Sequence, residues 1–179
     1  MQPVVALFYF CSMATKNKNL SEFDPKKVPS GRGKKIGVVV SEWNEEITEG
    51  LKKGAISALL DCGTYERDII VEYVPGTFEL PLGAQFLLES QELDAVVAIG
   101  CVVRGETAHF DYVCQGVTQG IQEVNLHYNT PVMFCVLTDD NIEQSRARSG
   151  GKLGNKGTEA AVGALKMIGL KDKMSSKWF

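Results

Sequence analysis

The chain has 179 residues, a formal net charge of −3, and 44% apolar and 23% charged residues. These values favour one soluble globular domain with a buried core, and the sequence contains no internal repeat or low-complexity tract. Residues 16–35 carry seven cations, but Phe23 is the single aromatic among them and no nucleic-acid motif accompanies them. We therefore expect a solvated basic stretch and exclude a nucleic-acid partner.

The cysteines and the first twelve residues indicate where in the cell the protein is expected. The five cysteines form no C-x-x-C pair and their number is odd, which indicates reduced thiols, a cytoplasmic location and no metal site. Residues 1–12 contain an apolar run without a basic segment, and they are too short to span a membrane, so no membrane partner is expected. They are either a degenerate signal peptide or, in the interpretation we favour, an extension upstream of a true start at Met13.

In chain order, the first predicted unit is an extended N-terminal arm over residues 1–34. Proline and glycine recur among its charges between Pro25 and Gly33, and this composition disfavours a packed element. We expect the folded body to begin at Lys35.

From that point, short continuous apolar runs alternate with stretches of helical spacing. Strands are predicted over 36–40, 69–74, 95–103 and 132–137. Helices are predicted over 44–60, 78–88, 109–127, 141–148 and 155–168. This alternation predicts an α/β fold in a single domain over residues 35–171, with a doubly wound four-stranded parallel sheet between two helical layers. The expected arrangement is three-layer αβα and flavodoxin-like, and residues 172–179 are expected to form a C-terminal tail.

Each predicted strand ends at a polar or glycine-bearing segment. These segments are 41–44, 75–79, 104–109 and 138–141. Because the carboxyl ends of parallel strands share one edge of a sheet, we expect the four segments to build one site. The third contains His109, which opens a helix whose unpaired N–H groups favour an anion. A lone histidine is more often a packed core residue, but this position favours a catalytic interpretation.

Four separated motifs resemble those of the 6,7-dimethyl-8-ribityllumazine synthase family. They are Trp43-Asn44, VPGTFELP at 74–81, GCVVRGETAHFDY at 100–112, and NIEQ at 141–144 leading to GGKLGNKG at 150–157. Four motifs in order are far more specific than a single glycine-rich match. The resemblance implies a transferase of riboflavin biosynthesis that acts without a cofactor. It would condense 5-amino-6-(D-ribitylamino)uracil with 3,4-dihydroxy-2-butanone 4-phosphate, releasing phosphate and water.

The resemblance assigns one set of residues to the pyrimidine and its ribityl chain. These residues are Trp43, Thr77, Phe78, Glu79, Cys101, Val102, Val103 and Phe134. Trp43, where the family usually has Phe, can offer an aromatic face to a flat ring, although a hydrophobic lid over the sheet edge is the alternative. For Phe78, a packing contact with the next helix is nearly as good an explanation as a binding role. For residues 101–103, the alternative to a binding role is a buried strand.

A second set is assigned to the phosphate substrate and to proton transfer. Glu106 and Thr107 would offer backbone N–H groups at a helix start, and Arg148 would bind the phosphate with help from Lys152 or Lys156. Without the motif at 141–157, these three cationic side chains would be interpreted as part of a solvent-exposed surface. His109 is assigned the proton transfers because an imidazole, with an unperturbed pKa of about 6.5, can act in both directions near neutral pH.

The family also implies a homo-oligomer with sites shared between subunits, and riboflavin synthase as a possible functional partner. The assembly is expected to be either a pentamer or a sixty-subunit particle. The uninterrupted segment 150–157 resembles that of particle-forming members. Pro25 and Pro29 weaken the case for a particle, because they disfavour an arm that adds as a strand to a neighbouring sheet. Two rival interpretations are a protein that holds flavin without turnover and a shell protein. The combination of His109 with Arg148 favours the enzyme over the first, and assembly does not exclude catalysis.

Overall fold

A sheet of four parallel strands lies at the centre of the computed structural model, which describes residue 19 and residues 21–175. The strands are β1 (Ile36–Ser41), β2 (Ile69–Val74), β3 (Ala95–Val103) and β4 (Val132–Asp139). The helices are α1 (Glu45–Asp61), α2 (Leu80–Ser90), α3 (His109–Tyr128), α4 (Ile142–Arg148) and α5 (Lys156–Ser175). The strands lie in the order β2-β1-β3-β4 and all pairs are parallel. The predicted doubly wound α/β class is therefore confirmed.

Helices cover both faces of this sheet. All six residues of β1 are buried, as expected for a continuous apolar run in the middle of a parallel sheet. On one face, Val38 shares a buried cluster with Leu51 of α1 and Leu165 of α5. On the other face, Val39 shares a second cluster with residues of α2 and α3, among them Leu80. The two clusters make the predicted three-layer αβα arrangement.

A short antiparallel hairpin that the sequence analysis does not predict joins α4 to α5. Its strands are β5 (Ser149–Gly151) and β6 (Gly154–Asn155). Gly150 and Gly154 have φ angles of +118° and +85°, which only glycine adopts without strain. The hairpin begins directly after α4, so it fixes where that helix ends.

The N-terminal segment packs more closely on the domain than the sequence analysis expects. Residues 21–34 contain no strand or α-helix, but Phe23 and Val28 pack against the core cluster beneath α1 and α5. The backbone N–H of Asn155 also donates to Ser21 Oγ at 2.6 Å. The described part of the expected arm is therefore anchored, because its few apolar side chains find buried surface. The expectations for residues 1–18, including a start at Met13, lie outside the described residues.

The last helix continues past its predicted end at Ile168 as far as Ser175. Gly169 does not end the helix; a Cβ there would lie 2.7 Å from Cγ of Pro29, so the glycine lets the N-terminal segment approach. Lys34 in that segment also forms an ion pair of 2.9 Å with Asp172. The first part of the expected tail is therefore helical, and residues 176–179 lie outside the described residues. Within the described residues, no helix is both long and apolar enough to cross a membrane.

Candidate active site

A cleft of about 650 Å³ opens at the carboxyl edge of the sheet. It is bounded by the end of β1, the turn after β2, the end of β3 and the beginning of α3. Eight residues that the sequence analysis assigns to the site line it: Trp43, Thr77, Phe78, Glu79, Cys101, Val102, Val103 and His109. Four further residues complete the lining: Asn44, Gly76, Tyr112 and Val113. Three neighbouring strand ends therefore meet at one place, as parallel topology predicts.

The rim above β1 is formed by Trp43, whose side chain is 73% exposed. Asn44 follows in the left-handed region, with φ 61° and ψ 45°, a conformation that asparagine tolerates better than most residues. Its side-chain amide donates to the carbonyl of Cys101 at 2.8 Å. This bond ties the turn after β1 to the end of β3, and it thereby holds the indole at the edge of the cleft.

The turn after β2 forms the opposite side of the cleft. Thr77 is buried, and its hydroxyl donates to the same Cys101 carbonyl at 3.5 Å. Phe78 is 58% exposed, yet its ring lies close to α3, since a Cβ on Gly116 would be 2.5 Å from Cε2 of Phe78. Phe78 therefore lines the cleft and also packs on α3, which is not the helix that directly follows it in the chain.

Glu79 supplies the cleft with a free acceptor. A Cβ on Gly76 would lie 2.9 Å from Oε2 of Glu79, so the glycine leaves room for this carboxylate beside the backbone. Within the described part of the chain, the Glu79 side chain is exposed and has no hydrogen-bond or ion-pair partner. It can accept hydrogen bonds from hydroxyl groups of a ligand.

The last residues of β3 offer backbone groups. β3 pairs with β1 as far as Ile99, opposite Val40, whereas its pairing with β4 continues to Val103, opposite Asp139. Beyond Ile99, the edge of β3 that faces the cleft has no strand partner. A heterocycle can form hydrogen bonds with such an edge almost regardless of the side chains, which suits the apolar sequence of this segment.

His109 is the first residue of α3, and its side chain is exposed. Its backbone N–H donates to Oγ1 of Thr107 at 3.4 Å. Among the described residues, its imidazole has no hydrogen-bond partner. Both ring nitrogens are therefore available to a ligand in the cleft.

Glu106 and Thr107 are exposed in the loop between β3 and α3, but they do not line the cleft. Arg104 holds this loop through an ion pair of 3.1 Å with Asp111 in the first turn of α3. The same guanidinium lies 4.0 Å from the ring centroid of Phe110. The loop is thus braced against the helix, and its backbone N–H groups lie beside a helix N-terminus.

Three of the remaining predicted residues lie on the β4 side of the chain, outside the cleft, and Lys152, the alternative to Lys156, is exposed between β5 and β6. Phe134 is in β4 and is 42% exposed. Arg148 ends α4, where Nη1 donates to the carbonyl of Gln144 at 2.9 Å. Lys156 begins α5 and pairs with Glu159 at 2.7 Å. We call Phe134, Arg148 and Lys156 the β4-side group.

The fourth strand end, residues 138–141, does not line the cleft either. Its Asp139 is only 8% exposed and accepts a hydrogen bond of 2.7 Å from Ser145 in α4. β4 is an edge strand, and although Asp140 pairs with Arg104 at 3.4 Å, the side chain of Asp139 is turned toward α4. The expectation that all four ends line one cleft is therefore not met within a single chain.

Comparison with known proteins decides the family. Residues 33–172 match the sequence model of the family described as 6,7-dimethyl-8-ribityllumazine synthase. The chain belongs to this family. A 6,7-dimethyl-8-ribityllumazine synthase of Porphyromonas gingivalis is 58% identical over 158 residues, which cover 88% of this chain and 98% of that protein. The synthase of Flavobacterium johnsoniae is 55% identical over 163 residues, or 91% of this chain and 86% of that protein. The predicted family and enzyme class, a transferase, are confirmed.

Three residues that line the cleft of this lumazine synthase family member have no predicted role: Asn44, Tyr112 and Val113. Tyr112 and Val113 follow His109 by three and four positions, a spacing that places them on its face of α3. Tyr112 is 71% exposed and adds an aromatic surface beside the imidazole. Helical spacing from His109 would have found these two, whereas no sequence signal reports the contact of Asn44 with β3.

Proposed function

We propose that this protein condenses 5-amino-6-(D-ribitylamino)uracil with 3,4-dihydroxy-2-butanone 4-phosphate to 6,7-dimethyl-8-ribityllumazine, phosphate and water, the penultimate step of riboflavin biosynthesis. The observation that carries the proposal is the cleft at the carboxyl edge of the sheet. It combines exposed aromatic surface, a free backbone edge, an unpartnered carboxylate and an accessible imidazole in a chain of the lumazine synthase family.

The cleft suits a flat pyrimidinedione with a polyol chain. Trp43 offers a ring for stacking, and the cleft-facing edge of β3 at Val103 offers backbone groups for the heteroatoms of the pyrimidine. The free carboxylate of Glu79 accepts hydrogen bonds from ribityl hydroxyls. Thr77 holds this wall in place through its contact with Cys101.

The phosphate of the second substrate needs cations, and the described residues that line the cleft include no lysine or arginine. We infer that the β4-side group of a neighbouring copy completes the site, with Phe134 against the ring and Arg148 on the phosphate. The guanidinium fork of arginine matches phosphate geometry, and Lys156 adds a second positive charge. Backbone N–H groups near Glu106 and Thr107 provide anion contacts at the start of α3.

His109 is the residue we assign to proton transfer. Formation of the imine, loss of phosphate and ring closure each move protons, and the free imidazole lies beside the aromatic wall of the cleft. Holding two substrates together also removes an entropic barrier, an effect worth on the order of 7 kcal/mol. We therefore expect proximity to account for much of the rate and His109 for a smaller part.

A shared site makes a homo-oligomer part of this proposal, either a pentamer or a sixty-subunit particle built from pentamers. The four described cysteines are free, which supports a cytoplasmic location. Riboflavin synthase, the enzyme that would consume the lumazine, is proposed as the functional partner.

The proposal is tested by incubating the protein with both substrates and following the fluorescence of the lumazine. We expect turnover that requires both substrates and continues for many product molecules per site. Omission of the butanone phosphate is the control. Binding of the lumazine or of a flavin without turnover would instead identify a flavin-holding protein and overturn the enzymatic proposal.

A further inference from the structure

A buried row of polar side chains joins the wall of the cleft to Arg148. The thiol of Cys101 donates to Ser145 Oγ at 3.4 Å, and the Ser145 hydroxyl donates to Asp139 Oδ2 at 2.7 Å. The other carboxylate oxygen, Oδ1, lies 3.7 Å from Nη1 of Arg148. Ser145 is completely buried and Asp139 nearly so. A buried carboxylate costs free energy unless hydrogen bonds and an opposite charge compensate it, and here it has both.

The row has one consistent direction of donation. Burial raises the pKa of the Cys101 thiol, and the carboxylate of Asp139 raises it further, while the bond to Ser145 has a smaller opposing effect than burial. The thiol therefore stays protonated and acts as the hydrogen-bond donor to Ser145. The single hydroxyl hydrogen of Ser145 is then available for its hydrogen bond to Asp139. Asp139 is thus held at Oδ2 by a fixed donor, and Oδ1 faces the guanidinium.

The guanidinium of Arg148 is held at one nitrogen. Nη1 both donates to the carbonyl of Gln144 at 2.9 Å and lies near Asp139. Nε and Nη2 have no hydrogen-bond partner within the described residues. An arginine fixed at Nη1 presents its Nε and Nη2 donors together, which is the geometry of a two-point contact with phosphate.

We propose that Asp139 is a positioning residue that, together with Ser145, holds the guanidinium of Arg148 ready for the phosphate of the butanone substrate. This inference depends on the proposed role of Arg148. Asp139 has two opposing effects: it removes rotamer freedom that a free arginine would lose on binding, and its charge weakens the attraction of Arg148 for an anion. The proposal is that restriction of the arginine dominates.

The substitution Asp139→Asn shows which effect dominates, because it removes the negative charge that holds Arg148 while it keeps the size of the side chain and an acceptor for Ser145. We expect the KM of the phosphate substrate to rise by about three- to tenfold, the range for one side chain that must be immobilised on binding. The kcat and the KM of the pyrimidine should change less than twofold, roughly the scatter of independent sites. Asp140→Asn is the matched control, since Asp140 is the exposed next residue and its partner is Arg104.

The same substitution in an Arg148→Ala background tests whether Asp139 acts through Arg148. We expect its effect on the KM of the phosphate substrate to disappear there. An unchanged or lower KM in Asp139→Asn, or an equal rise in the Arg148→Ala background, would overturn the inference. If Asp139→Asn does not fold, as judged by thermal unfolding, Ser145→Ala replaces it and should raise the same KM by a smaller factor. Absence of turnover in the unmodified protein would refute the proposed function instead.

Discussion

The cleft and the β4-side group differ in how the fold assembles them. The cleft is built from the ends of β1, β2 and β3, which are neighbours in the sheet, and its residues meet within one chain. The β4-side group lies on the edge strand β4 and in the helices after it, where Arg148 and Lys156 are held by their own local partners. Within residues 21–175, a single chain therefore forms a cleft that suits a flat ring, but no lysine or arginine lines it. We therefore expect the pyrimidine to bind mainly to one chain, and the phosphate of the second substrate to need Arg148 of a neighbouring copy.

The largest expected effect follows from separating the chains. We predict that a dissociated single chain has no measurable turnover and that the smallest active species is a pentamer. Light scattering and lumazine fluorescence, recorded on the same samples across protein concentrations, provide the measurement. A fully active monomer or dimer would show that one chain completes the site, whereas a pentamer and a sixty-subunit particle both agree with the prediction.

Within an assembled site, removal of the imidazole should affect catalysis more than binding. We predict that His109→Ala lowers kcat by about 100-fold or less, because general acid–base catalysis is worth roughly 10²- to 10⁴-fold and water replaces part of it. Both KM values should change little. His127→Ala is the matched control, since His127 is an exposed histidine at the other end of α3. Full kcat in His109→Ala would remove the catalytic assignment.

Loss of the proposed contact between Arg148 and the phosphate should change the KM of the butanone phosphate. We predict that Arg148→Ala raises the KM of the butanone phosphate by about tenfold or more, since hydrogen bonds to charged groups are worth roughly 1.5–3 kcal/mol. The KM of the pyrimidine should move less. Arg146→Ala is the control, because Arg146 lies in the same helix but pairs with Glu46 at 2.8 Å. An unchanged KM for the phosphate substrate would contradict the assignment.

Mixed assemblies show whether Arg148 serves the cleft of its own chain or that of a neighbour. Arg148→Ala and His109→Ala chains, unfolded together and reassembled in equal amounts, should form some sites in which both residues are intact. Random neighbours in a ring give about a quarter of such sites, and activity at low phosphate substrate should recover to about that fraction. Activity no greater than the average of the two separate variants would place both residues in one chain.

The fold can be predicted from the sequence pattern where every residue of a strand is buried. The run Ile36 to Val40 is apolar at every position, so it predicts a central strand without tertiary information. The hairpin β5–β6 has too few residues to show an alternation of apolar and polar positions. The helical spacing predicts an end of α5 at Ile168, whereas the helix continues through Gly169, whose missing side chain makes room for Pro29. Such contacts between distant segments leave no local signal.

The same limit applies to the candidate site. Parallel topology predicts that strand ends meet, and three of the four do. The pattern does not reveal that Asp139 turns toward Ser145 and Arg148, because that depends on how α4 packs beside an edge strand. Likewise, the sequence pattern does not reveal that Asn44 is left-handed and that its side chain bonds to β3.

The smallest predicted effect concerns the rim of the cleft, where the ring of Trp43 is mostly exposed. Trp43→Ala should weaken the pyrimidine and the lumazine product together by about 1 kcal/mol, roughly fivefold, the size of one aromatic stacking contact. The phosphate of the other substrate is assigned to Arg148 and not to Trp43, so the KM of the butanone phosphate should stay nearly constant. Trp43→Phe is the matched variant and should recover most of the loss, since it keeps an aromatic face of smaller area. Product affinity is measured by titration of lumazine fluorescence on assembled protein. Equal affinity in the alanine and tryptophan forms would mean that the indole only covers the sheet edge, and the pyrimidine would then depend on the backbone of β3 and on Glu79.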